Sequence, residues 1–276
     1  LRLLLPSTLG SAVVAAQTRP LSTFLPHYDK DIQPIPFDLE KAKALLDEAG
    51  WVDTNGDGIG DLQGLTGRLG YLRWLGVEAI WLTPIYPSPL QDGGYDITDF
   101  KNIHPELGDL SGFHRFLIAA HNHGMRVILD LVLNHTSYLH PWFQRARWAP
   151  KGSPERDVYV WSDDRNRYRE APVLFRNYET SNWEWDDVAK QYYFHRFLRN
   201  QPDLNYENPW VQEQMLEVVD FWLDRGVDGF RLDAVPFLFE EEGTRCEGLP
   251  KTHSFLKKIR QRVNSSDKEI LLIAEA

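Results

Sequence analysis

The sequence predicts an α/β protein organised around a parallel sheet, and three observations carry that prediction. Downstream of about residue 51, short apolar runs of strand character alternate with segments of helical period. These runs end in polar or charged residues, which would collect on one rim of a parallel sheet. A polar, aromatic insert from about 136 to 208 interrupts the alternation, as long connections on the functional face of such sheets do.

Residues 1 to 37 are rich in Pro and Ser without periodicity and read as extended or loop structure. Asp38 then caps a helix whose apolar face is Leu39, Ala42, Leu45, Leu46 and Ala49, with Gly50 as the stop. A helix over 65–75 (Leu65, Leu69, Leu72, Leu75) closes at Gly76 and leads into a strand over 77–82. A helix over 110–121, closed by Gly124, precedes a strand over 126–132. After the insert, a helix over 210–224 ends at Gly226 before a strand over 227–232, and a helix over 253–263 precedes a strand over 269–274. Strands apolar along their whole length have both faces covered, the condition of a parallel sheet.

The 276 residues, 42% hydrophobic and 25% charged, fit one barrel-sized domain or two smaller ones. A net charge of −10 without a basic run recommends neither a nucleic-acid partner nor an anionic membrane. No stretch reaches the roughly 18 apolar residues of a membrane span. The opening leucine-rich stretch is broken by Pro6 and Gly10 and matches a secretion signal poorly. A single cysteine, Cys246, excludes an internal disulfide framework and suits the reducing cytoplasm, where it reads as a buried thiol. Aromatics reach 13%, with ten Trp; such faces suit sugar stacking or a large aromatic core equally.

The chemistry lies at the strand ends. The first strand runs into Thr83-Pro84, the second into Asp130 and Asn134-His135, the third into Arg231-Leu232-Asp233, and the fourth into Glu275. Asp233 and Glu275 are one βα unit apart, hence on adjacent strands. Such a pair, about 5–5.5 Å apart, suits a retaining glycosidase: one carboxylate attacks, the other holds a proton for the leaving oxygen. Arg231 projects to the same side as Asp233 and should keep it ionised. The loop Asp53-Thr54-Asn55-Gly56-Asp57-Gly58-Ile59-Gly60-Asp61 spaces oxygens around a glycine turn, as calcium requires, although Gly64 stands where the full helix-loop-helix motif has Glu. A turn that binds nothing is the alternative. His121 and His123, beside Gly124, read as helix-end residues.

Five segments, in order, resemble the α-amylase superfamily: Gly94-Tyr95-Asp96-Ile97, Asp130 to His135, Gln201-Pro202-Asp203-Leu204-Asn205, Gly229 to Val235, and Ala274-Glu275-Ala276. The resemblance implies Asp233 as nucleophile and Glu275 as acid/base. It places Tyr95 as a stacking platform, Asp96 as a sugar-hydroxyl acceptor, and His135 and Arg231 around the reacting glucose. It supports a calcium site at Asp53, Asn55, Asp57, the Ile59 carbonyl and Asp61. A second calcium, at Asn134, Asp203 and Glu240 with backbone oxygens near Phe237 and Leu238, is implied by resemblance alone, and no organic cofactor is implied. Within the superfamily, Trp183 to Asn205 and Glu242 to Pro250 resemble the trehalose synthases, which interconvert maltose and trehalose without releasing glucose.

Family members place a first barrel strand directly before the aspartate loop, whereas here 36–51 resembles the solute-binding proteins of peptide transporters. The expected organisation is a foreign N-terminal segment (1–52), the first part of a catalytic barrel (53–135), an inserted subdomain (136–208) and a truncated barrel continuation (209–276). The expected fold is a partial TIM (β/α)8 barrel with its insert after the third barrel strand, the first and last three strands missing. With them would go the family's third catalytic acid, so impaired activity is expected. The substrate would be maltose, trehalose or a short α-glucan. Two alternatives stay open: an α-glucosidase or amylase-type hydrolase, and an inactive chimera or peptide-binding module.

Overall fold

The computed structural model describes residues 60–265 and 268–275. The helix expected after Asp38, and the loop ligands Asp53, Asn55, Asp57 and Ile59, lie outside the described residues. The described residues form two compact units, one built from 60–85 and 105–127, the other from 86–104 and the described residues from 128 onward.

In the first unit, α1 (Leu62–Thr66) and α2 (Leu69–Trp74) replace the single helix expected over 65–75. Gly67 and Arg68 form the break, and Asp61 caps α1 by accepting the Gly64 N–H at 2.7 Å. Strand β1 (Ala79–Leu82) follows, then α3 (Leu110–Asn122), which buries Phe113, Phe116, Leu117 and Ala120. His123 caps the end of α3 with a ring nitrogen on the Ala119 carbonyl at 2.8 Å, the helix-end role expected of it. Gly124 (φ +70°) then turns the chain into β2 (Arg126–Val132).

In the second unit β2 pairs in parallel with β6 (Gly229–Asp233), and β6 with β7 (Leu271–Ala274). The insert between β2 and β6 is more regular than its polar sequence suggests. Helix α4 (Pro141–Trp148) is capped by His140, whose Nδ1 accepts the Trp142 N–H at 3.0 Å. A three-stranded antiparallel sheet follows, with β3 (Trp161–Ser162), β4 (Trp183–Asp186) and β5 (Gln191–Phe194) in the order β3-β5-β4. Cross-strand aromatics hold it: Trp183 on Phe194 at 5.0 Å and Trp185 on Tyr192 at 4.9 Å.

Helix α5 (Pro209–Asp224) connects the insert to β6, with Pro at its first position and the Asn208 side chain accepting the Trp210 N–H at 3.0 Å. Its inner face is Val211, Met215, Leu216, Val218, Val219 and Trp222. Trp222 is wholly buried and donates its indole N–H to the Phe100 carbonyl at 2.9 Å. Helix α6 (Pro250–Asn264) buries Thr252, Phe255, Ile259 and Val263 before β7. Cys246 is buried, as expected of a structural thiol. Among the described residues no helix is long and apolar enough to cross a membrane.

Strand β6 can lie this close to β7 only because its first residue is Gly229. A Cβ there would meet the Leu271 carbonyl oxygen at 2.6 Å and the Leu271 Cβ at 2.9 Å. Gly229→Ala is therefore expected to push β7 outward and cost about 1–3 kcal/mol, read as a lowered thermal midpoint. An unchanged midpoint would mean that β7 does not pack where the backbone places it.

Candidate active site

Strand parity alone gathers four charged residues on one side of the sheet. Asp130 of β2 pairs in register with Arg231 of β6, and Arg231 with Ile273 of β7. Asp233 lies two residues beyond Arg231, and Glu275 two beyond Ile273, so all four side chains share one face. Immediately after Asp233, Ala234 adopts a left-handed conformation (φ +52°), and its N–H donates to Glu275 Oε2 at 3.4 Å. The chain leaves the strand there in a sharp turn, so Asp233 projects from its end.

Arg231 is the hub. Its Nη1 donates to the two Asp130 carboxylate oxygens at 2.8 and 3.0 Å and to Asp233 Oδ1 at 2.5 Å. Its Nη2 reaches Glu275 Oε1, also at 2.5 Å. The Tyr95 hydroxyl donates to Asp130 Oδ2 at 2.9 Å, and the guanidinium carbon sits 5.9 Å from the Tyr95 ring centre. Tyr95, Arg231, Asp233 and Glu275, expected together, are together; Asp130 joins them at the centre.

One cation cannot satisfy three carboxylates. Burial pushes the Asp130 carboxyl up to about 6, against the pull of Arg231. It pushes Asp233 up to about 8, helped by the charge of Asp130 and a hydrogen bond shared with Glu275, which outweigh Arg231. The sequence-based expectation that Arg231 keeps Asp233 ionised is thus corrected, because the guanidinium is divided among three acids. Asp233 and Glu275 both contact the one guanidinium, Asp233 through Nη1 and Glu275 through Nη2.

His135 is 1% exposed and stacks against Phe197 with ring centres 5.1 Å apart. Burial drives its pKa down to about 3, so the ring is neutral, and Nε2 has no hydrogen-bond partner among the described residues. Asp96 departs from its expected role as a sugar acceptor. It is fully enclosed, with Oδ1 accepting from the Ser88 hydroxyl (2.8 Å) and the Asp92 N–H (3.2 Å), and Oδ2 from the Gln91 N–H (3.1 Å). Both oxygens are committed to shaping the turn that delivers Tyr95.

Asn134, Asp203 and Glu240 form a second buried polar cluster. The Leu204 N–H donates to the Asn134 carbonyl at 2.9 Å, fixing the insert to the exit of β2. Asn134 Oδ1, Asp203 Oδ2 and Glu240 Oε1 have no hydrogen-bond partner among the described residues. Burial raises the Asp203 carboxyl to about 7 and lifts Glu240 well above its usual range. Among the described residues no group of three or more His, Cys, Asp or Glu could hold a metal; this cluster offers two carboxylates and an amide. Orphaned buried oxygens of this kind fit a hard cation such as calcium. Of the loop ligands expected from sequence, Asp61 is described, and there it caps α1.

A family model described as the α-amylase catalytic domain matches residues 49–276. The trehalose synthase/amylase TreS of Mycolicibacterium smegmatis is 57% identical over 224 residues, covering 81% of this chain and 38% of that protein. A trehalose synthase of Pimelobacter sp. is 53% identical over the same length, covering 81% of this chain and 39% of its own. Among solved structures, the trehalulose synthase MutB of Pseudomonas mesoacidophila superposes with a TM-score of 0.73 at 38% identity, over 81% of this chain and 42% of that one. The structural neighbours are TIM-barrel enzymes, which agrees with the partial barrel expected from the sequence. The chain spans less than half the length of each relative.

Proposed function

Because the chain belongs to the α-amylase catalytic-domain family, we propose that it processes α-glucosides with retention of configuration, interconverting maltose and trehalose by intramolecular glucosyl transfer. The observation that carries this reading is the shared face of Asp130, Arg231, Asp233 and Glu275, with Tyr95 beside it. Asp233, in the ionised fraction that increases as pH rises toward about 8, attacks the anomeric carbon while Glu275 gives its proton to the departing glycosidic oxygen. The C–O bond breaks, leaving a glucosyl ester on Asp233 and a glucose in the site. That glucose turns, and its anomeric hydroxyl oxygen attacks the anomeric carbon of the glucosyl ester, breaking the bond to Asp233 and freeing its carboxylate, as Glu275 takes the hydroxyl proton. No water is consumed. His135, neutral and with Nε2 unpartnered, would receive a sugar hydroxyl, and the Tyr95 ring would underlie the glucose.

Incubation of the protein with maltose, with products resolved by NMR, tests the reading: trehalose is the expected product. Free glucose in its place would shift the reading to a hydrolase, in keeping with the amylase activity in the name of the Mycolicibacterium relative, a trehalose synthase/amylase. No conversion, together with peptide binding, would favour the binding-module reading. A cytoplasmic location remains part of the proposal, supported by the lone buried thiol.

Calcium belongs to the same proposal. Asn134, Asp203 and Glu240 would hold it in the buried cluster, and the aspartate loop would hold another. A bound ion would neutralise two buried carboxylates and secure the insert against β2. Chelation is expected to lower the thermal midpoint and added calcium to restore it. The gain is about 2.7 kcal/mol at one hundred times the dissociation constant. A midpoint indifferent to both would remove calcium from the description.

A further inference from the structure

Arg196 is the least satisfied large side chain in the insert. It is 1% exposed, yet Nε, Nη1 and Nη2 all lack a hydrogen-bond partner among the described residues. Its backbone N–H donates to Asp203 Oδ1 at 3.0 Å, which anchors the residue at the Asn134–Asp203–Glu240 cluster. Its guanidinium lies within Coulombic reach of Asp203 and Glu240 but forms a salt bridge with neither. The guanidinium carbon rests 4.8 Å above the Phe237 ring centre, and Phe237 packs edge-on against Phe197 at 5.7 Å. The charge is held beside the two acids by an aromatic face and kept off them.

From this arrangement we propose that Arg196 sets the cation affinity of the Asn134–Asp203–Glu240 cluster, its fixed positive charge weakening the binding of calcium there. The inference rests on the calcium reading above. A divalent ion entering the cluster meets two carboxylates with the Arg196 guanidinium beside them, so part of their attraction is offset. Repulsion between Arg196 and the ion scales with the ion's charge, and the low-dielectric surroundings leave it poorly screened. Glu240 also lines a cavity of about 370 Å³ together with Asp157, Asn205 and Glu207. Removing the guanidinium while keeping the side-chain length would leave both carboxylates to the metal alone.

Calcium titration calorimetry on the whole protein tests this, with the wild type set beside Arg196→Met, Arg196→Gln and Arg196→Lys. The Met and Gln variants are expected to bind at least about tenfold tighter and the Lys variant within about threefold of wild type. Unchanged or weaker binding in Met and Gln overturns the inference. Phe237→Leu gives a second arm should those variants not fold. Freed from the ring, the guanidinium can pair with Asp203, so calcium should bind several-fold more weakly, and unaltered binding there also counts against the proposal. A wild type with no calcium uptake sensitive to Asp203→Asn would instead overturn the calcium reading, a failure distinguishable from that of the Arg196 role.

Discussion

Asp233→Asn is expected to lower glucosyl transfer from maltose by roughly 10⁴-fold or more, while leaving the protein folded and slightly more resistant to heat. The amide keeps the shape of the side chain but cannot form the glucosyl ester. Its effect on stability follows from linkage. The Asp233 carboxyl is raised to about 8 in the folded state, against about 3.9 when unfolded. Between those values the folded state holds a proton that the unfolded state has lost, so stability falls as pH rises through the window. A neutral amide removes that loss, and each kcal/mol relieved raises the thermal midpoint by roughly 2–4 °C. Trehalose formation followed by NMR measures the first effect, and melting at neutral pH the second. A fluorinated α-glucosyl fluoride, which forms the ester but releases it slowly, should add its mass to the peptide carrying Asp233 in the wild type only. Conversion persisting within tenfold of wild type would show that another group attacks.

Much of this site is written in strand periodicity. Arg231 and Asp233 share a face because they are two apart in a strand, and Glu275 falls beside them because one βα unit brings the chain back in register. Asp130 carried a visible signal too, as the only charge among the buried residues Val127 to Val132, although spacing could not say what it touches. What spacing hides is stoichiometry. That one guanidinium serves three acids depends on how closely three strand ends converge, so the raised pKa of Asp233 could not be read beforehand. Asp96 misled for a different reason. Ser88, Gln91 and Asp92 are all close in sequence, yet a turn that folds back on a carboxylate has no periodic signature. The antiparallel sheet of the insert went unread because its strands are four residues or fewer and its cross-strand contacts are Trp and Tyr, which half-exposed loops also contain. The interrupted helix at Gly67 was hidden by a leucine spacing that two short helices satisfy as well as one.

The division of Arg231 among three acids leads to the other large expected effect. Arg231→Met is expected to destabilise the protein strongly at alkaline pH and weakly in acid. As pH rises through about 6 and about 8 the wild type ionises Asp130 and Asp233 beside Arg231, whereas in the variant the same ionisation meets no counter-ion. Breaking a buried pair from one side costs roughly 3–5 kcal/mol. At pH 5 both groups are protonated, Asp130 at about 6 and Asp233 at about 8 being the relevant values, and the loss of Arg231 removes its contact with Glu275 and its hydrogen bonds to two neutral carboxyls. The gap in thermal midpoint between wild type and variant should therefore widen steadily as pH rises through that range. Arg231→Lys separates charge from geometry. An ammonium restores one positive charge, but a single nitrogen cannot reach Asp130 and Asp233 on one side and Glu275 on the other, as the two guanidinium nitrogens do. The Lys variant should regain part of the alkaline stability and little of the activity, because Glu275 loses the contact that holds it opposite Asp233. A gap between wild type and Arg231→Met that stays constant with pH would show that Arg231 acts by packing, with its charge contributing nothing to the fold.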